Sequence, residues 1–409
     1  MSDMSVAPPY TKVHQHAVFP KPNHDEAARY NFLANFNRYM AQELGPGNAL
    51  AYEKRVLPQF VAEHRREPKN RHEVRKAMNK DPYHRMWSAL RRNSMEFRQQ
   101  NGRAIVLRQH AELAESIHAT NTNTPGLELD PSITTPRYQD AVDIHCMPGS
   151  YHGEETAGDF SAGANYDSGI FATTAGGIGA LSDGAGQGLV DWIKRTRPGW
   201  TPRRVLELGT TIGHNIVPLA LTFPETEFVA IDTAAPVLRY AHARARALGA
   251  DNITFIQADA EDLSRWEDGY FDWVQTTMFV HETSRTALPV IMKEGHRVLA
   301  EGGLMLHLEQ PPYTDMPVYE QFIRDWDSFN NNEPFWSTVH TLNLPGMMQK
   351  AGFGHNEVFE DHVKAVVDRK EFAATADGGE QEDHGRAAAW YALGGWKGGV
   401  KGGVADIAA

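Results

Sequence analysis

The sequence predicts an α/β fold, in which a mainly parallel β-sheet carries helices on both faces and follows a mainly helical N-terminal region. From residue 204 to residue 309, short runs rich in β-branched and aromatic residues alternate with runs of helical periodicity, as in βαβ units. Between residues 25 and 119, apolar residues recur at helical spacing instead. We therefore expect two regions of different architecture in one chain.

Length, charge and cysteine content narrow the class of protein. The 409 residues allow a large core, and the formal net charge of −12 disfavours nucleic acid and anionic membranes as partners, because phosphates are repelled. The one cysteine, Cys146, leaves no internal disulfide and no cysteine pair for zinc. No apolar stretch approaches the roughly 18 residues of a membrane span and no signal-peptide pattern occurs, so we expect a cytoplasmic protein without a membrane partner.

Residues 1–168 are predicted to form the helical region, which we expect to act as a substrate-binding or lid region. A proline-rich arm is followed by a helix at residues 25–44, which we expect Gly45-Pro46-Gly47 to end. Further helices are predicted near residues 49–64, 70–79, 82–99 and 105–119, before turn-rich residues 120–168. Residues 53–108 hold fifteen Lys and Arg against six Asp and Glu, which indicates a solvated face, a dimer surface or a site for an anionic group.

Residues 169–393 are predicted to form the sheet domain. A glycine-rich segment at residues 169–188 opens this domain as a hinge, and strands follow at VLELGT, EFVAID, ITFIQAD, FDWVQTT and GLMLHLE. Because helical runs separate these strands, we expect them to pair in parallel. Residues 394–409 repeat Gly-Gly without a core-forming pattern, so we expect a flexible tail there.

Residues typical of a nucleotide-type ligand site follow the first two predicted strands. Gly209 and Gly213 lie in a strand-to-helix turn, where a ligand can approach the main chain and the first amides of the helix. The next strand ends in Asp232, where a carboxylate can accept both hydroxyls of a ribose. A dehydrogenase is disfavoured, because Thr211 and His214 occupy the second and third glycine positions of the dinucleotide fingerprint.

Together these motifs resemble those of the class I S-adenosyl-L-methionine-dependent methyltransferases. VLELGTTIG resembles the first motif of the family, FVAID the second, QADAEDL the third and FDWVQTTMFVHE the segment of the fourth strand. Segments near residues 350 and 390 resemble the final helix and the antiparallel last strand. The resemblance implies a Rossmann-like sheet, parallel with an antiparallel last strand, S-adenosylmethionine as cofactor, and an N-terminal extension that covers the cofactor site.

The resemblance also implies which residues hold the cofactor. Glu207 and the turn of Gly209 and Gly213 correspond to the residues that hold the methionine part, and Asp232 to the residue that binds the ribose. The adenine would contact Asp259 and the backbone amide of Ala260, and the floor beneath the sulfonium would be formed by Thr276 with Thr277.

Thr211 departs from the family pattern, because the family usually has glycine at this position. A β-branched residue favours a negative φ, so we expect either a shifted turn or a hydrogen bond from Thr211 to the cofactor.

Candidate catalytic groups lie at the ends of the fourth and fifth predicted strands. His281 and Glu282 follow the fourth strand, and His307 and Glu309 alternate along the fifth, so that both point to one face. Any of these side chains is a candidate base for an acceptor that must lose a proton. The carboxyl edge, where Glu309 lies, is where open α/β sheets place their ligands.

Candidate acceptor contacts come from two segments. The loop around residue 150 contains His145, Tyr151 and His152, and an aromatic-rich stretch after the fifth strand contains Tyr313 and Trp326. His145 and His152 are seven residues apart, which is not a standard spacing for metal ligands, so we predict no metal.

The sequence therefore predicts methyl transfer from S-adenosylmethionine to a small molecule, with an oxygen acceptor first, then sulfur or nitrogen. One alternative is a catalytically idle cofactor-binding subunit that regulates or scaffolds a partner, which the Thr211 departure favours. Another is an RNA methyltransferase that uses the basic N-terminal helices, against which the acidic remainder of the chain argues. A helical extension of this size also offers a surface for a homodimer.

Overall fold

The computed structural model describes residues 6–368, residue 372 and residues 389–399. These residues form an eight-stranded sheet in the order β1-β4-β3-β2-β5-β6-β8-β7. The strands are β1 Leu127–Glu128, β2 Arg204–Leu208, β3 Glu227–Asp232, β4 Ile253–Gln257, β5 Phe271–Thr277, β6 Leu299–Glu309, β7 Val358–Lys364 and β8 Ala389–Trp396.

The sheet confirms the predicted architecture. Neighbouring strands from β1 to β6 pair in parallel, and β8 runs antiparallel to both β6 and β7. From β2 the chain adds β3 and β4 on one side and β5 and β6 on the other, so the strand order reverses between β2 and β5. A crevice outside the carboxyl ends of the strands at such a point is the usual ligand site of an open α/β sheet.

Helices cover both faces of the sheet and form the N-terminal region. Alternate residues of β6 enter two different hydrophobic clusters: Leu306 and Leu308 pack on one face, and Met305 on the other. The helices are α1 His24–Tyr39, α2 Gly45–Ala51, α3 Leu57–His64, α4 Arg71–Met78, α5 Pro82–Arg108, α6 His110–Asn123, α7 Arg137–Asp140, α8 Ser161–Thr174, α9 Gly184–Thr196, α10 Ile216–Thr222, α11 Ala235–Ala247, α12 Ala287–Val298, α13 Val318–Arg324, α14 Trp326–Asn330, α15 Trp336–Val339 and α16 Leu344–Ala351. Within the described ranges, no helix combines the length and apolar character needed to cross a membrane.

The helix predicted to end at Gly45-Pro46-Gly47 continues instead. Two π-helical segments, Met40–Leu44 and Tyr52–Val56, join α1, α2 and α3. Pro46 lies in the first turn of α2, where a missing N–H does least harm. A Cβ on Gly47 would lie 2.0 Å from the hydroxyl oxygen of Tyr83, so this glycine allows α5 to approach closely rather than ending a helix.

The predicted region boundary at residues 168 and 169 falls inside α8. The short strand β1 from the N-terminal region pairs with β4 at the sheet edge. The two regions therefore share a helix and a sheet.

The tail predicted from residue 394 begins later than expected. Gly394 and Gly395 belong to β8, and a Cβ on Gly394 would lie 2.1 Å from the ring of Phe359. Gly394 suggested a loop in the sequence, but in the structure it leaves room for an aromatic ring to pack on the strand. Residues 400–409 of the predicted tail lie outside the described residues.

Candidate functional site

A large cavity opens at the carboxyl ends of the central strands, where the strand order reverses. Loops after β2, β3, β4 and β5 form one side, and side chains of α5 and α8, such as Arg98 and Tyr166, form the other. The space enclosed by these loops and helices is about 1860 Å³ when its open mouth is included. A cleft at this place in the sheet is where a small-molecule ligand is expected to bind.

Glu207, the penultimate residue of β2, lines the inner end of the cavity. Its buried carboxylate accepts hydrogen bonds from the Thr210 hydroxyl at 2.5 Å and the Gln275 amide at 2.8 Å. Burial raises the pKa of Glu207 to about 7 despite these two hydrogen bonds, and the charge of Asp232 adds to the rise. A cationic ligand group would favour the ionised form of this carboxylate.

The turn after β2 corrects the expectation for Thr211, which adopts a positive φ of 50°. Its N–H donates a hydrogen bond of 3.0 Å to Oδ2 of Asp232, and Oδ1 of Asp232 accepts from the N–H of Ala234. The turn is therefore not shifted, and Thr211 holds the left-handed conformation in which glycine is usual. Burial raises the pKa of Asp232, the last residue of β3, which lines the cavity.

Gly209 and Gly213 serve different purposes in the turn. Gly209 lines the cavity with a φ of 70°, and a Cβ there would lie 2.2 Å from the ring of Phe279. Gly213 has a φ of 69° and faces the ring of Phe255 in the core. Gly213 was expected to hold the cofactor together with Gly209. It lies on the core side of the turn instead and does not line the cavity.

Asp259 and Ala260, which the sequence resemblance assigns to the adenine, line the cavity in the loop after β4. Thr276 does not line it, because its buried hydroxyl pairs with Nδ1 of His307 at 2.8 Å on the core side of β5, and the neighbouring Thr277 lines the cavity instead. Burial lowers the pKa of His307 to about 4. His307 does not line the cavity, so it is not placed to accept a proton from a ligand there, which corrects that prediction.

Two histidines and three glutamates form a cluster, and four of these five side chains line the cavity. Nδ1 of His281 lies 2.7 Å from Oε1 of Glu309, and Nδ1 of His145 lies 3.0 Å from Oε1 of Glu333. Nε2 of His145 lies 3.4 Å from Oε1 of Glu282. Glu309 does not line the cavity, so the structure places it behind His281 as a support rather than as a base.

The carboxylates of this cluster dominate its electrostatics. Burial alone would lower the pKa of His145, but Glu333 and Glu282 raise it to about 10. Burial is likewise outweighed at His281, whose pKa is raised to about 9, chiefly by Glu309. The cluster therefore has a strong affinity for positive charge in its interior.

The predicted acceptor contacts divide between the cavity and the core. His145, Tyr151 and His152 line the cavity. Tyr313 and Trp326 do not: the Tyr313 hydroxyl donates to Asp325 at 2.6 Å, and Trp326 packs in a cluster with α4 and α5. The aromatic-rich stretch serves mainly to attach the N-terminal helices, which corrects these two predictions.

Several cavity residues were not predicted from the sequence, among them Glu333, Arg98 and Trp336. Glu333 follows Asn330, Asn331 and Asn332 and precedes Pro334, so an acid in a turn-forming segment was the available signal. Nothing in the helical pattern of α5 distinguishes Arg98 from its basic neighbours, because only tertiary packing buries it.

Part of the chain is similar in sequence to known methyltransferases. Residues 205–303 match the family model described as a methyltransferase domain. Ribosomal RNA small subunit methyltransferase G of Porphyromonas gingivalis is 27% identical over 150 residues, which are 34% of this chain and 63% of the relative. Demethylmenaquinone methyltransferase of Thermus thermophilus is 36% identical over 111 residues, which are 27% of this chain and 49% of the relative.

Among solved structures, phosphoethanolamine N-methyltransferase 2 of Haemonchus contortus in complex with S-adenosyl-L-methionine is 17% identical, with a TM-score of 0.37 and 52% of each chain covered. The chain spans between about half and two thirds of the length of the curated relatives it matches. The family match covers β2 to β6 and so includes the turn of Glu207, Asp232 and Asp259. The chain therefore carries a class I, S-adenosylmethionine-dependent methyltransferase domain.

Proposed function

We propose that the protein transfers a methyl group from S-adenosylmethionine to a small-molecule acceptor held in the same cavity. The observation that carries this proposal is that one cavity is lined by two groups of residues suited to different ligands. Glu207, Asp232 and Asp259 line the part that we assign to the cofactor, the cofactor end, and His145, His281 and Glu282 line the part that we assign to the acceptor, the acceptor end. With both ligands in one cavity, the methyl group can face the acceptor at short range, which is the main requirement for this transfer.

The cavity residues fit the cofactor chemically. The buried carboxylate of Glu207, with its raised pKa, is poised to ionise beside an ammonium group such as that of the methionine part. Asp232 at the carboxyl end of β3 suits a ribose, and Asp259 with Ala260 suits the adenine. When bound, the cofactor supplies an electrophilic methyl: its bond to sulfur breaks as an electron pair of the acceptor forms the new bond, and the acceptor proton leaves to a base.

Arg98 indicates the chemical class of the acceptor. Its guanidinium is buried in the cavity wall, donates to the carbonyl of Tyr166, and leaves Nε without a hydrogen-bond partner. Among the described residues, no carboxylate lies within ion-pair distance of it. A buried, unpaired cation favours an anionic ligand, so the proposed acceptor carries an acidic group, with oxygen as the first choice of methylated atom, then sulfur or nitrogen.

RNA is the second candidate substrate, because curated relatives include ribosomal RNA methyltransferases. The basic N-terminal helices speak against it in this chain. Arg71 and Arg75 share Asp325, and Arg108 pairs with Glu26, so these cations already have carboxylate partners within the fold. The helices α5 and α8 also line the cavity, where an RNA strand would need open access.

Titration calorimetry tests the proposal. Asp232→Ala is expected to lower the affinity for S-adenosylhomocysteine at least about tenfold, because hydrogen bonds from ligand to a charged group contribute roughly 1.5–3 kcal/mol. Asp251→Ala, at an exposed site, is the matched control and should bind like the wild type. Equal affinity in Asp232→Ala and wild type would refute the ribose assignment. Absent binding to the wild type would refute the proposed function.

A further inference from the structure

We propose that His145, Glu282, Glu333 and His281 bind one divalent transition-metal ion at the acceptor end of the cavity. His145, Glu282 and Glu333 each place one potential ligand atom so that all three lie within 4.8 Å of one another. Nε2 of His281 lies beside them, 3.7 Å from Oε2 of Glu333 and 4.0 Å from Oε1 of Glu282. These four side chains line the cavity, so an ion among them would be accessible to a ligand.

The ligand atoms lie close together, but not yet at the separations found around a bound ion. Bonds of about 2.0–2.2 Å to imidazole nitrogen and carboxylate oxygen place neighbouring ligand atoms roughly 3–4 Å apart, and the atoms of His145, Glu282 and Glu333 lie within 4.8 Å of one another. The two short contacts of His145 use different ring nitrogens, Nδ1 at 3.0 Å from Glu333 and Nε2 at 3.4 Å from Glu282, whereas one ion takes only one nitrogen of an imidazole. Binding would therefore require a side-chain rotation that brings both carboxylates to the same nitrogen of His145.

Glu333 provides an independent indication of a missing partner. Its Oε1 accepts a hydrogen bond of 2.5 Å from the Asn331 amide, but its buried Oε2 has no hydrogen-bond partner. Glu333 is only 2% exposed, and Nε2 of His281, at 3.7 Å from Oε2, is beyond hydrogen-bond distance. A buried carboxylate oxygen without a partner is strongly unfavourable, and a cation bound at this point would remove the penalty.

The environment of His281 is that of a metal ligand. Oε1 of Glu309 lies 2.7 Å from Nδ1 of His281, and Oε2 of Glu309 accepts the backbone N–H of His281 at 3.1 Å. A carboxylate on Nδ1 orients the ring and leaves Nε2 as the nitrogen that would bind an ion, which would displace the proton from Nε2. The other ring nitrogen faces Glu333 and Glu282, where the ion would lie.

The types of ligand restrict which metal ions could bind. Imidazole with carboxylate favours a first-row ion such as Mn²⁺, Fe²⁺ or Zn²⁺ over Mg²⁺ or Ca²⁺, which prefer oxygen ligands alone. Glu282 and Glu333 would balance its two positive charges. If the proposed function holds, an oxygen of the acceptor would occupy an open coordination position of the ion. The acceptor would then be an oxygen anion that can coordinate a metal.

The test is a titration of the chelator-treated full-length protein with Mn²⁺ and with Zn²⁺, measured by calorimetry and by Mn²⁺ EPR. We expect one saturable site, weakened at least about tenfold in Glu333→Gln and in His145→Ala. His152→Ala is the matched control, because His152 lines the same cavity but pairs with Asp140 outside the cluster. It should bind the ion like the wild type.

Thermal unfolding and S-adenosylhomocysteine binding of each variant separate loss of a ligand from loss of the fold. The proposal is overturned if neither ion binds saturably to a wild-type protein that binds S-adenosylhomocysteine, or if both ligand variants retain wild-type metal affinity. Metal binding without S-adenosylhomocysteine binding would support the ion site and refute the proposed function.

Discussion

We expect Glu207 to make the binding of S-adenosylhomocysteine depend on pH. In the folded protein without ligand its pKa is raised to about 7, first by burial. An ammonium group on the ligand would require the ionised carboxylate, so binding should release a proton below pH 7. Affinity for S-adenosylhomocysteine should therefore rise with pH, by about tenfold between pH 6 and pH 8 for this group alone.

The corresponding variant is Glu207→Gln, which keeps the size of the side chain and removes its titration. We expect weaker binding and a loss of most of the pH dependence, measured by calorimetry at pH 6, 7 and 8 in two buffers of different ionisation enthalpy. A slope in the variant equal to that of the wild type would assign the titration to another group.

The same shift has a consequence for stability. Because the folded pKa lies above the unfolded value of 4.5, the folded state binds a proton more tightly. The contribution of Glu207 to stability is therefore lost as pH rises from about 4.5 through 7. The ligand reverses this loss when it pairs with the ionised carboxylate.

At the residue scale, the sequence predicted which residues line the cavity better than it predicted their conformation. Of the residues proposed to hold the cofactor, Glu207, Gly209, Asp232, Asp259 and Ala260 line the cavity. Thr211 was expected at negative φ and adopts a φ of 50°, a strained conformation for a β-branched residue. The hydrogen bond from its N–H to Asp232 joins two strands, and such a long-range contact is not visible in the local pattern.

At the element scale, Asp325 fastens the N-terminal helix α4 to the segment between α13 and α14. Oδ2 of this fully buried carboxylate accepts from Arg71 at 2.6 Å and from Arg75 at 2.5 Å. Its Oδ1 accepts from the Tyr313 hydroxyl at 2.6 Å. The group links an element before the sheet to one after it, and these elements share a hydrophobic cluster.

Removing one partner of a buried ion pair leaves the other charge uncompensated. We therefore expect Asp325→Ala to lower the free energy of unfolding by about 3–5 kcal/mol in urea denaturation. Asp191→Ala, which removes an exposed pair with Arg195 on α9, should change it by less than about 1 kcal/mol. A loss below about 1 kcal/mol in Asp325→Ala would show that the hydrophobic cluster alone holds these elements together.

Some helices and strands are predictable from the local sequence, whereas others depend on contacts with distant segments. The strands β2 to β6 are recognisable from short runs of buried apolar residues, which a few buried polar side chains such as Glu207, Gln275 and Glu309 interrupt. Gly45-Pro46-Gly47 and Gly394 misled the prediction, because their glycines accommodate Tyr83 and Phe359 from distant segments. A glycine looks the same in the sequence whether it ends a helix or strand or allows another segment to approach the backbone closely.

At the scale of the whole molecule, the proposed acceptor end is assembled from three distant segments. His145 comes from the N-terminal region, Glu282 from the turn after β5, and Glu333 from the segment after α14. The cofactor end follows successive strands of one motif and was therefore predictable. The acceptor end was only partly so, because no spacing in the sequence relates residues 145, 282 and 333.

The most direct test of the account is a crystal structure of the protein grown with S-adenosylhomocysteine. The account predicts the ligand in the cavity, with its amino group at Glu207, its ribose at Asp232 and its sulfur directed toward His281 and Glu282. A ligand bound elsewhere, or a sulfur directed away from that cluster, would contradict the claim that cofactor and acceptor meet in one cavity.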